Sequence, residues 1–190
     1  MTQINKISVL AISGSLRKSS FNSALLRAAQ ELAPLNMEII IYEGLADIPP
    51  YDDDVRANGY PEPVEKLRSS VRAADALIFA TPEYNRSFSG VLKNALDWAS
   101  RPPEQPLDGK PALVTGAGPG AIGTAMANYH LRQVLSVLGV HLLPGLEFLV
   151  GGAGAKFDAD LRLVDQPSRD FFTKSLAGLA TLTTKLRADG

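Results

Sequence analysis

Short apolar runs alternate with stretches of helical spacing along most of this chain. Five runs rich in valine, isoleucine, leucine or alanine cover residues 7–12, 37–42, 76–80, 111–115 and 140–143. Before the last run, apolar residues recur at i, i+3, i+4 and i+7, the period of one helix face: Leu131, Val134, Leu135 and Leu138. Strands that are apolar on both faces and alternate with helices are typical of a parallel sheet covered on each side.

Five strand–helix units in 190 residues fit one fold class. We predict an α/β, flavodoxin-like, three-layer fold with a five-stranded parallel sheet of order 2-1-3-4-5. The chain is 45% apolar, enough for one buried core, so residues 1–190 are expected to form a single domain. In open sheets of this kind, ligands bind beyond the carboxyl ends of the strands, where the loops after strands 1, 3 and 4 converge.

The loop after the first strand, residues 13–22, has the composition of a phosphate-binding turn. Gly14 makes the turn flexible, and a helix predicted to begin near Phe21 offers its unpaired amides and the positive end of its dipole. Arg17 adds a forked cationic donor, and hydroxyls stand at positions 13, 15, 19 and 20. The Gly-Lys-Ser/Thr ending of a nucleotide P-loop is missing, which favours a monophosphate. The alternative is a simple turn and helix cap.

The loop after the third strand, residues 81–90, combines a rigid exit with polar and aromatic groups. Pro82 stiffens the end of the strand, and the Asn85 carboxamide can both donate and accept hydrogen bonds. Tyr84 can pack against a planar ring. The pattern indicates a site for a heterocycle; the alternative is a turn in which Ser89 caps the next helix.

The loop after the fourth strand, residues 115–123, is rich in glycine, which lets a ligand ring approach the backbone closely. Gly118, Gly120 and Gly123 also match the spacing of the dinucleotide fingerprint. That fingerprint needs an acidic residue about 20 positions further on. Position 138 is leucine, and Glu147 lies beyond the next predicted strand. The dinucleotide interpretation is therefore disfavoured.

The composition excludes several kinds of chemistry. The chain has no cysteine, which removes disulfides, thiol nucleophiles, iron–sulfur clusters and thiolate zinc sites. Its two histidines, His130 and His141, are too few for a three-histidine metal site and are expected to be structural. The acidic run 52–54 is interpreted as a solvated loop rather than a cation site. Redox chemistry would require a bound organic cofactor.

The charge balance and hydropathy bear on partners and location. Nineteen lysines and arginines against 20 aspartates and glutamates give no basic surplus for nucleic acid or an anionic membrane. No apolar run reaches the roughly 20 residues that span a bilayer. No basic N-terminal stretch followed by a signal-type core is present. We expect a cytoplasmic protein that binds neither nucleic acid nor membrane.

Taken in order, the three loops resemble the NADPH-dependent FMN reductase family, and within it most closely the bacterial NAD(P)H:quinone and chromate reductases. The similarity rests on Gly-Ser-Leu-Arg with Ser20 and Asn22, then Pro-Glu-Tyr-Asn followed by Leu-Lys-Asn-Ala-Leu-Asp-Trp. Gly-Pro-Gly then precedes a stretch with Tyr-His-Leu-Arg. The similarity to this family spans nearly the whole chain. One departure is Ala117, where the family often places serine.

The resemblance implies FMN as cofactor and NADPH or NADH as co-substrate. Carried over by position, the cofactor-binding residues are Ser13, Ser15, Arg17, Ser20 and Asn22 around the phosphate, with Phe21 in the same site; Pro82, Glu83, Tyr84, Asn85 and Arg86 at the isoalloxazine; and Gly116, Ala117, Gly118 and Gly120 along the pyrimidine side. Flavin N5 would carry the hydride, so no catalytic side chain and no metal are expected.

The activity implied is ping-pong reduction of a small electron acceptor, such as a quinone, chromate, an azo compound or a nitro compound. One alternative is a flavin-binding electron carrier without small-molecule turnover, which the net charge of −1 disfavours. Another is a phosphate-binding module without flavin. The resemblance also implies a homodimer or a dimer of dimers, with Trp98, Tyr129 and Glu147 as candidate interface residues.

Overall fold

The computed structural model describes residues 6–188, which contain six β-strands and six α-helices. The strands are β1 (Ile7–Ser13), β2 (Met37–Tyr42), β3 (Ala76–Ala80), β4 (Pro111–Ala117), β5 (His141–Leu142) and β6 (Leu149–Val150). The helices are α1 (Phe21–Leu32), α2 (Asp53–Ala57), α3 (Glu62–Ala73), α4 (Gly90–Ala99), α5 (Ala125–Val137) and α6 (Gln166–Ala188).

The strands form a parallel sheet in the order β2-β1-β3-β4-β5, which confirms the predicted fold class and strand order. All five residues of β3 are buried, since helices cover both faces of the sheet. Helices α1 and α6 pack their apolar side chains on one face, and α3, α4 and α5 pack on the other. Burial on both faces explains why the strands read as continuous apolar runs.

The fifth strand is split, which the sequence did not predict. Only the two residues of β5 pair with the start of β4, whereas β6 pairs with its end at Gly116 and Ala117. Between them, Pro144 has no amide proton and Gly145 has a φ of 73°, so the strand is interrupted. The Thr115 hydroxyl donates to the Phe148 carbonyl at 2.5 Å. The split brings β6 beside the glycine-rich loop that follows β4.

One sequence-based expectation about the surface is wrong. Trp98, a candidate interface residue, is 0% exposed and packs inside the chain's own core. Its indole N–H donates to the Pro49 carbonyl at 2.8 Å, and the Tyr51 ring contacts it edge-on at 4.9 Å. A large ring with a satisfied N–H is stable in the interior, so Trp98 offers nothing to a partner subunit.

The acidic run 52–54 begins a helix. Asp52 is the N-cap of α2, and its carboxylate accepts from the Asp54 amide at 2.9 Å. Asp53 accepts from Arg56 at 2.6 Å and from the Tyr51 hydroxyl at 2.7 Å. The Arg56 hydrogen bond, followed by that of Tyr51, lowers the pKa of Asp53. These carboxylates thus have local partners.

Within residues 6–188, no helix combines the length and the apolar character needed to cross a membrane.

Candidate functional site

Loops after β1, β3 and β4 meet at the carboxyl edge of the sheet around a crevice of about 640 Å³. This volume lies within the roughly 300–1,000 Å³ typical of small-molecule sites. The loops are in close contact. At Gly14 an added Cβ would lie 2.9 Å from Ser89 Oγ, and the Gly14 amide donates to the Ala80 carbonyl at 2.8 Å. The crevice therefore lies where the predicted topology places ligands.

The turn between β1 and α1 forms the first wall of the crevice. Ser20 is the N-cap of α1, and its Oγ accepts from the amides of Asn22 at 3.1 Å and Ser23 at 3.3 Å. Arg17 is exposed on this wall, where its guanidinium donates to Ser19 Oγ at 3.3 Å. A helix N-terminus, hydroxyls and a guanidinium are groups that bind phosphate. This end of the crevice has the donor chemistry of a phosphate site.

Asn22 connects the first loop to the third. Its Oδ1 accepts from the Ala117 amide at 2.9 Å, and its Nδ2 donates to the Ala117 carbonyl at 3.1 Å. The side chain is buried, so both bonds are shielded from water. Asn22 thus lines the crevice with a carboxamide that already has two protein partners, and its part in the site is to fix the end of β4 against the start of α1.

We expect Asn22→Ala to lower the free energy of unfolding by about 2 kcal/mol, because the buried amide and carbonyl of Ala117 lose their partners. Chemical denaturation of the purified protein measures this loss. Asn22→Asp is the matched variant: it keeps the acceptor for the Ala117 amide but turns an oxygen toward the carbonyl. Unchanged stability in both variants would show that the two bonds contribute nothing.

The segment after β3 forms a two-residue turn. The Tyr84 amide donates to the Ser87 carbonyl at 2.9 Å, and the Ser87 amide donates back to Tyr84 at 3.0 Å. Both central residues have a positive φ, 50° at Asn85 and 67° at Arg86, as a type I′ turn requires. Asparagine tolerates this conformation better than most residues, but for arginine it is strained. The turn presents Tyr84 and Arg86 at the crevice.

The helix that follows this turn, α4, begins at Gly90, and Ser89 is its N-cap, as in the alternative that the sequence offered. The Ser89 Oγ accepts from the Leu92 amide at 3.4 Å and caps α4. The helix cap and the crevice wall therefore coexist in one segment, with the cap at its end and the wall at its start.

Glu83 connects the second loop to the third. Its Oε2 accepts from the amides of Met126 at 3.0 Å and Ala127 at 3.2 Å, in the first turn of α5. Thr124, the N-cap residue of that helix, makes no side-chain cap. A carboxylate at a helix N-terminus satisfies orphan amides and interacts favourably with the helix dipole. The Glu83 carboxylate thus caps α5 from a neighbouring loop.

We expect Glu83→Ala to destabilise the protein by about 1 kcal/mol, the usual value of a helix cap. Glu83→Gln should lose less, since the carboxamide oxygen still accepts from the two amides while the charge is gone. Thermal unfolding gives the order, and hydrogen exchange at the Met126 and Ala127 amides locates the effect. Equal stability of all three proteins would contradict the capping role.

The glycine-rich third loop is held tightly by its own chain. At Gly116 an added Cβ would lie 2.0 Å from Thr124 Oγ1, so the backbone there has no room for a side chain. At Gly118 a Cβ would meet the Gly123 carbonyl oxygen at 3.0 Å, so a side chain there would press on the loop itself. At Gly120 nothing lies within 4 Å.

The segment after β6 fastens this loop. The Gly118 amide donates to the Val150 carbonyl at 3.0 Å, and the Gly152 and Ala153 amides donate to Gly120 and Gly118 at 3.0 and 3.1 Å. The glycine run 151–154, which is uninformative as sequence, therefore packs against the loop. At Gly151 a Cβ would lie 2.0 Å from the Ala121 carbonyl oxygen.

The structure brings most of the sequence-predicted site residues together. Those that line the crevice are Ser15, Arg17, Ser20, Phe21, Asn22, Pro82, Glu83, Tyr84, Arg86, Ala117, Gly118 and Gly120. Three others lie outside its lining. Ser13 is buried with its hydroxyl 2.9 Å from Ser23 Oγ, Asn85 is at the exposed turn, and Gly116 is packed below the loop.

Pro119, within the predicted stretch 116–120, also lines the crevice, and sequence reasoning missed three further residues: Ile122, Gly123 and Thr124. They continue the third loop up to the start of α5. Ile122 is the most informative, because it is 60% exposed despite its apolar side chain. An isolated isoleucine within a glycine-rich strand-to-helix loop was the available signal.

The crevice lining contains groups that suit both the phosphate and the ring of FMN. The first loop offers the guanidinium of Arg17 and the N-terminus of α1 to a phosphate. The other two loops contribute Pro82, Tyr84 and a backbone that leaves open space at Gly120. Flat apolar surfaces and glycine backbone accommodate a planar ring.

Comparison with known proteins agrees with this chemistry. A sequence model described as NADPH-dependent FMN reductase matches residues 7–155. The chain is 52% identical over 181 residues to an NAD(P)H-dependent FMN reductase of Pseudomonas aeruginosa, covering 95% of this chain and 97% of that protein. It is 41% identical over 184 residues to a quinone reductase of Escherichia coli, covering 96% and 98%.

Among solved structures, the fold is similar to that of a flavoenzyme NAD(P)H:(acceptor) oxidoreductase from Paracoccus denitrificans. The TM-score is 0.84 at 35% sequence identity, with 94% of this chain and 98% of that chain covered. The match extends over nearly the full length of both proteins, and the sequence matches above include all three loops of the crevice. The chain belongs to the NADPH-dependent FMN reductase family.

Proposed function

We propose that this protein is an FMN-dependent NAD(P)H oxidoreductase that reduces quinones or similar small electron acceptors. One observation supports this most strongly: three loops from separate strands line one crevice, to which they contribute phosphate donors and a side-chain-poor backbone. The relatives named as an FMN reductase and a quinone reductase support the same activity.

Bound FMN would take a hydride from NAD(P)H and pass the reducing equivalents to the acceptor. The chain's residues provide binding and orientation. Arg17 and the first turn of α1 would hold the phosphate, Pro82 and Tyr84 would border the ring, and the open space at Gly120 would let the ring approach. The amides of Ala117 and Gly118 are already bonded to Asn22 and Val150, so they fix the loop.

The experiment is an anaerobic titration of the FMN-loaded protein with NADPH and, separately, with NADH, followed by a water-soluble quinone. We expect bleaching of the flavin absorbance by the coenzyme and its return on addition of quinone, with many turnovers in the steady state. Chromate, azo and nitro compounds are tested in the same assay to define the acceptor. Flavin that neither coenzyme bleaches would reject the proposal.

The proposed assembly is a homodimer or a dimer of dimers of a single FMN-binding unit spanning residues 1–190. Tyr129, which is 45% exposed, donates to Glu147 at 3.3 Å on the surface, and Val137 on the same helix is 86% exposed. An exposed aromatic side chain and an exposed apolar side chain on one helix suit an interface. Light scattering coupled to size-exclusion chromatography measures the assembly.

We also propose a cytoplasmic location, which cell fractionation tests.

A further inference from the structure

Arg86 has an unfavourable backbone conformation. It occupies the second central position of the turn after β3 with a φ of 67°, where type I′ turns strongly prefer glycine. A side chain at this φ costs on the order of 1 kcal/mol compared with glycine. Backbone strain of this kind clusters at ligand-binding sites, where the surrounding structure holds the strained residue in place. Glycine would avoid the strain, so the presence of arginine at this position calls for an explanation. The side chain of Arg86 is the reason to look for a ligand.

The guanidinium of Arg86 is available to such a ligand. The residue is exposed and lines the crevice. Within residues 6–188, ion pairs of arginine involve other positions: Arg56, Arg68, Arg72, Arg162, Arg169 and Arg187. The acidic residue of the crevice lining, Glu83, has its carboxylate bonded to the α5 amides. No carboxylate of the described chain therefore pairs with Arg86.

The crevice has one arginine more than the FMN phosphate requires. FMN has a single phosphate, for which the first loop supplies Arg17, the serine hydroxyls and the N-terminus of α1. Arg86 comes from a different loop, after β3, and has no place in that cradle. A second anion is the simplest occupant for an unpaired forked cation on the same crevice.

We propose that Arg86 binds a phosphate group of the nicotinamide coenzyme and thereby helps to set which coenzyme the protein prefers. The inference rests on the proposed function, since that function brings NADPH or NADH to the crevice. Both coenzymes have a diphosphate, and NADPH has an additional 2′-phosphate. The guanidinium geometry suits either group. If Arg86 contacts the 2′-phosphate, it favours NADPH over NADH. If it contacts the diphosphate, it binds both coenzymes alike.

Arg86→Gly in the FMN-loaded protein is the direct test, because glycine removes the side chain and relaxes the turn. Arg86→Lys keeps the charge without the fork. Arg72→Ala is the matched control: it removes one exposed arginine that pairs with Glu65 and Glu104, outside the crevice lining. Stopped-flow reduction by NADPH and by NADH gives the apparent Kd of each coenzyme. Calorimetric titration with NADP+ and NAD+ gives binding without turnover.

For Arg86→Gly we expect an apparent Kd for NADPH about tenfold higher, a smaller change in the Kd for FMN and a Tm equal to or above that of the wild type. A smaller rise is expected for Arg86→Lys and none for Arg72→Ala. Weaker binding of NADPH and NADP+ alone assigns Arg86 to the 2′-phosphate, whereas equal weakening with NADH and NAD+ assigns it to the diphosphate.

Two results would overturn the assignment: coenzyme affinities that do not change in Arg86→Gly, or a Kd for FMN that rises by the same factor as that for NADPH. Failure of the proposed function is distinct, because it would show in wild-type protein whose FMN neither coenzyme reduces. The calorimetric titration still decides in that case, since wild-type protein that does not bind NADP+ or NAD+ also overturns the role of Arg86.

Discussion

Gly116→Ala is expected to lower the free energy of unfolding by about 3 kcal/mol, the upper end of the usual cost of overpacking. The added Cβ would lie 2.0 Å from Thr124 Oγ1 and 2.4 Å from the Thr81 carbonyl oxygen. The threonine side chain could rotate, but the carbonyl belongs to the backbone at the exit of β3 and can move only with its strand. Urea denaturation of the FMN-free protein measures the loss.

Gly120→Ala is the matched control, because it makes the same change in the same loop where no atom lies within 4 Å of the new Cβ. The FMN-free Gly120→Ala protein should unfold at the wild-type urea concentration. Equal stability of the Gly116→Ala and Gly120→Ala proteins would contradict the packing described at the end of β4. Because Gly116 supports the loop from below, its substitution should also reduce the fraction of protein that retains FMN.

Arg17→Ala is expected to weaken FMN binding by about 1.5 to 3 kcal/mol, the range for a hydrogen bond to a charged group. This corresponds to a rise in Kd of roughly 10- to 150-fold. Arg17 is exposed on the crevice wall beside the N-terminus of α1, and its protein partner is a neutral hydroxyl, Ser19 Oγ. Its guanidinium can therefore reach the phosphate without breaking an ion pair. Quenching of flavin fluorescence on titration of the FMN-free protein gives the Kd.

Lys18→Ala provides the control for charge alone. Lys18 is the next residue of the same loop, is also exposed, and does not line the crevice. Its removal should change the Kd for FMN by less than about threefold, in keeping with the small effect of a screened surface charge. If Lys18→Ala weakened FMN binding as much as Arg17→Ala, the loop would act only through its net charge, and the contact assigned to Arg17 would be wrong.

The sheet could be predicted because its strands are buried on both faces. The bounds of β2 and β3 agree with the apolar runs 37–42 and 76–80, and the helix predicted to begin near Phe21 begins there. Local sequence was sufficient in these places, since continuous burial and a serine cap both leave a local pattern. The positions of the three loops followed from the topology.

The bonds between the loops could not be predicted, because they join residues far apart in sequence. Asn22 and Ala117 are 95 positions apart, and Glu83 and Met126 are 43 apart. From the sequence, Asn22 and Glu83 are both predicted to contact the cofactor. In the structure, their side chains hold the loops to one another. Trp98 was misjudged for a related reason, since nothing local reveals that the Pro49 carbonyl satisfies its N–H.

Two backbone features also escaped sequence reasoning. The strand β6 has only two residues and is followed by glycines, so no periodicity marks it. The turn at Asn85 and Arg86 lacks the Asn-Gly pair that signals a type I′ turn, and its positive φ values became visible only in the structure. In both cases a local preference is overridden by the packing of the crevice.

A crystal structure of the protein soaked with FMN tests the central claim most directly. We predict the phosphate beside Arg17 and the N-terminus of α1, with the ring between the Pro82–Tyr84 segment and the loop at Gly118 and Gly120. Density for FMN at another surface, or an empty crevice in protein that retains its yellow colour, would contradict the account.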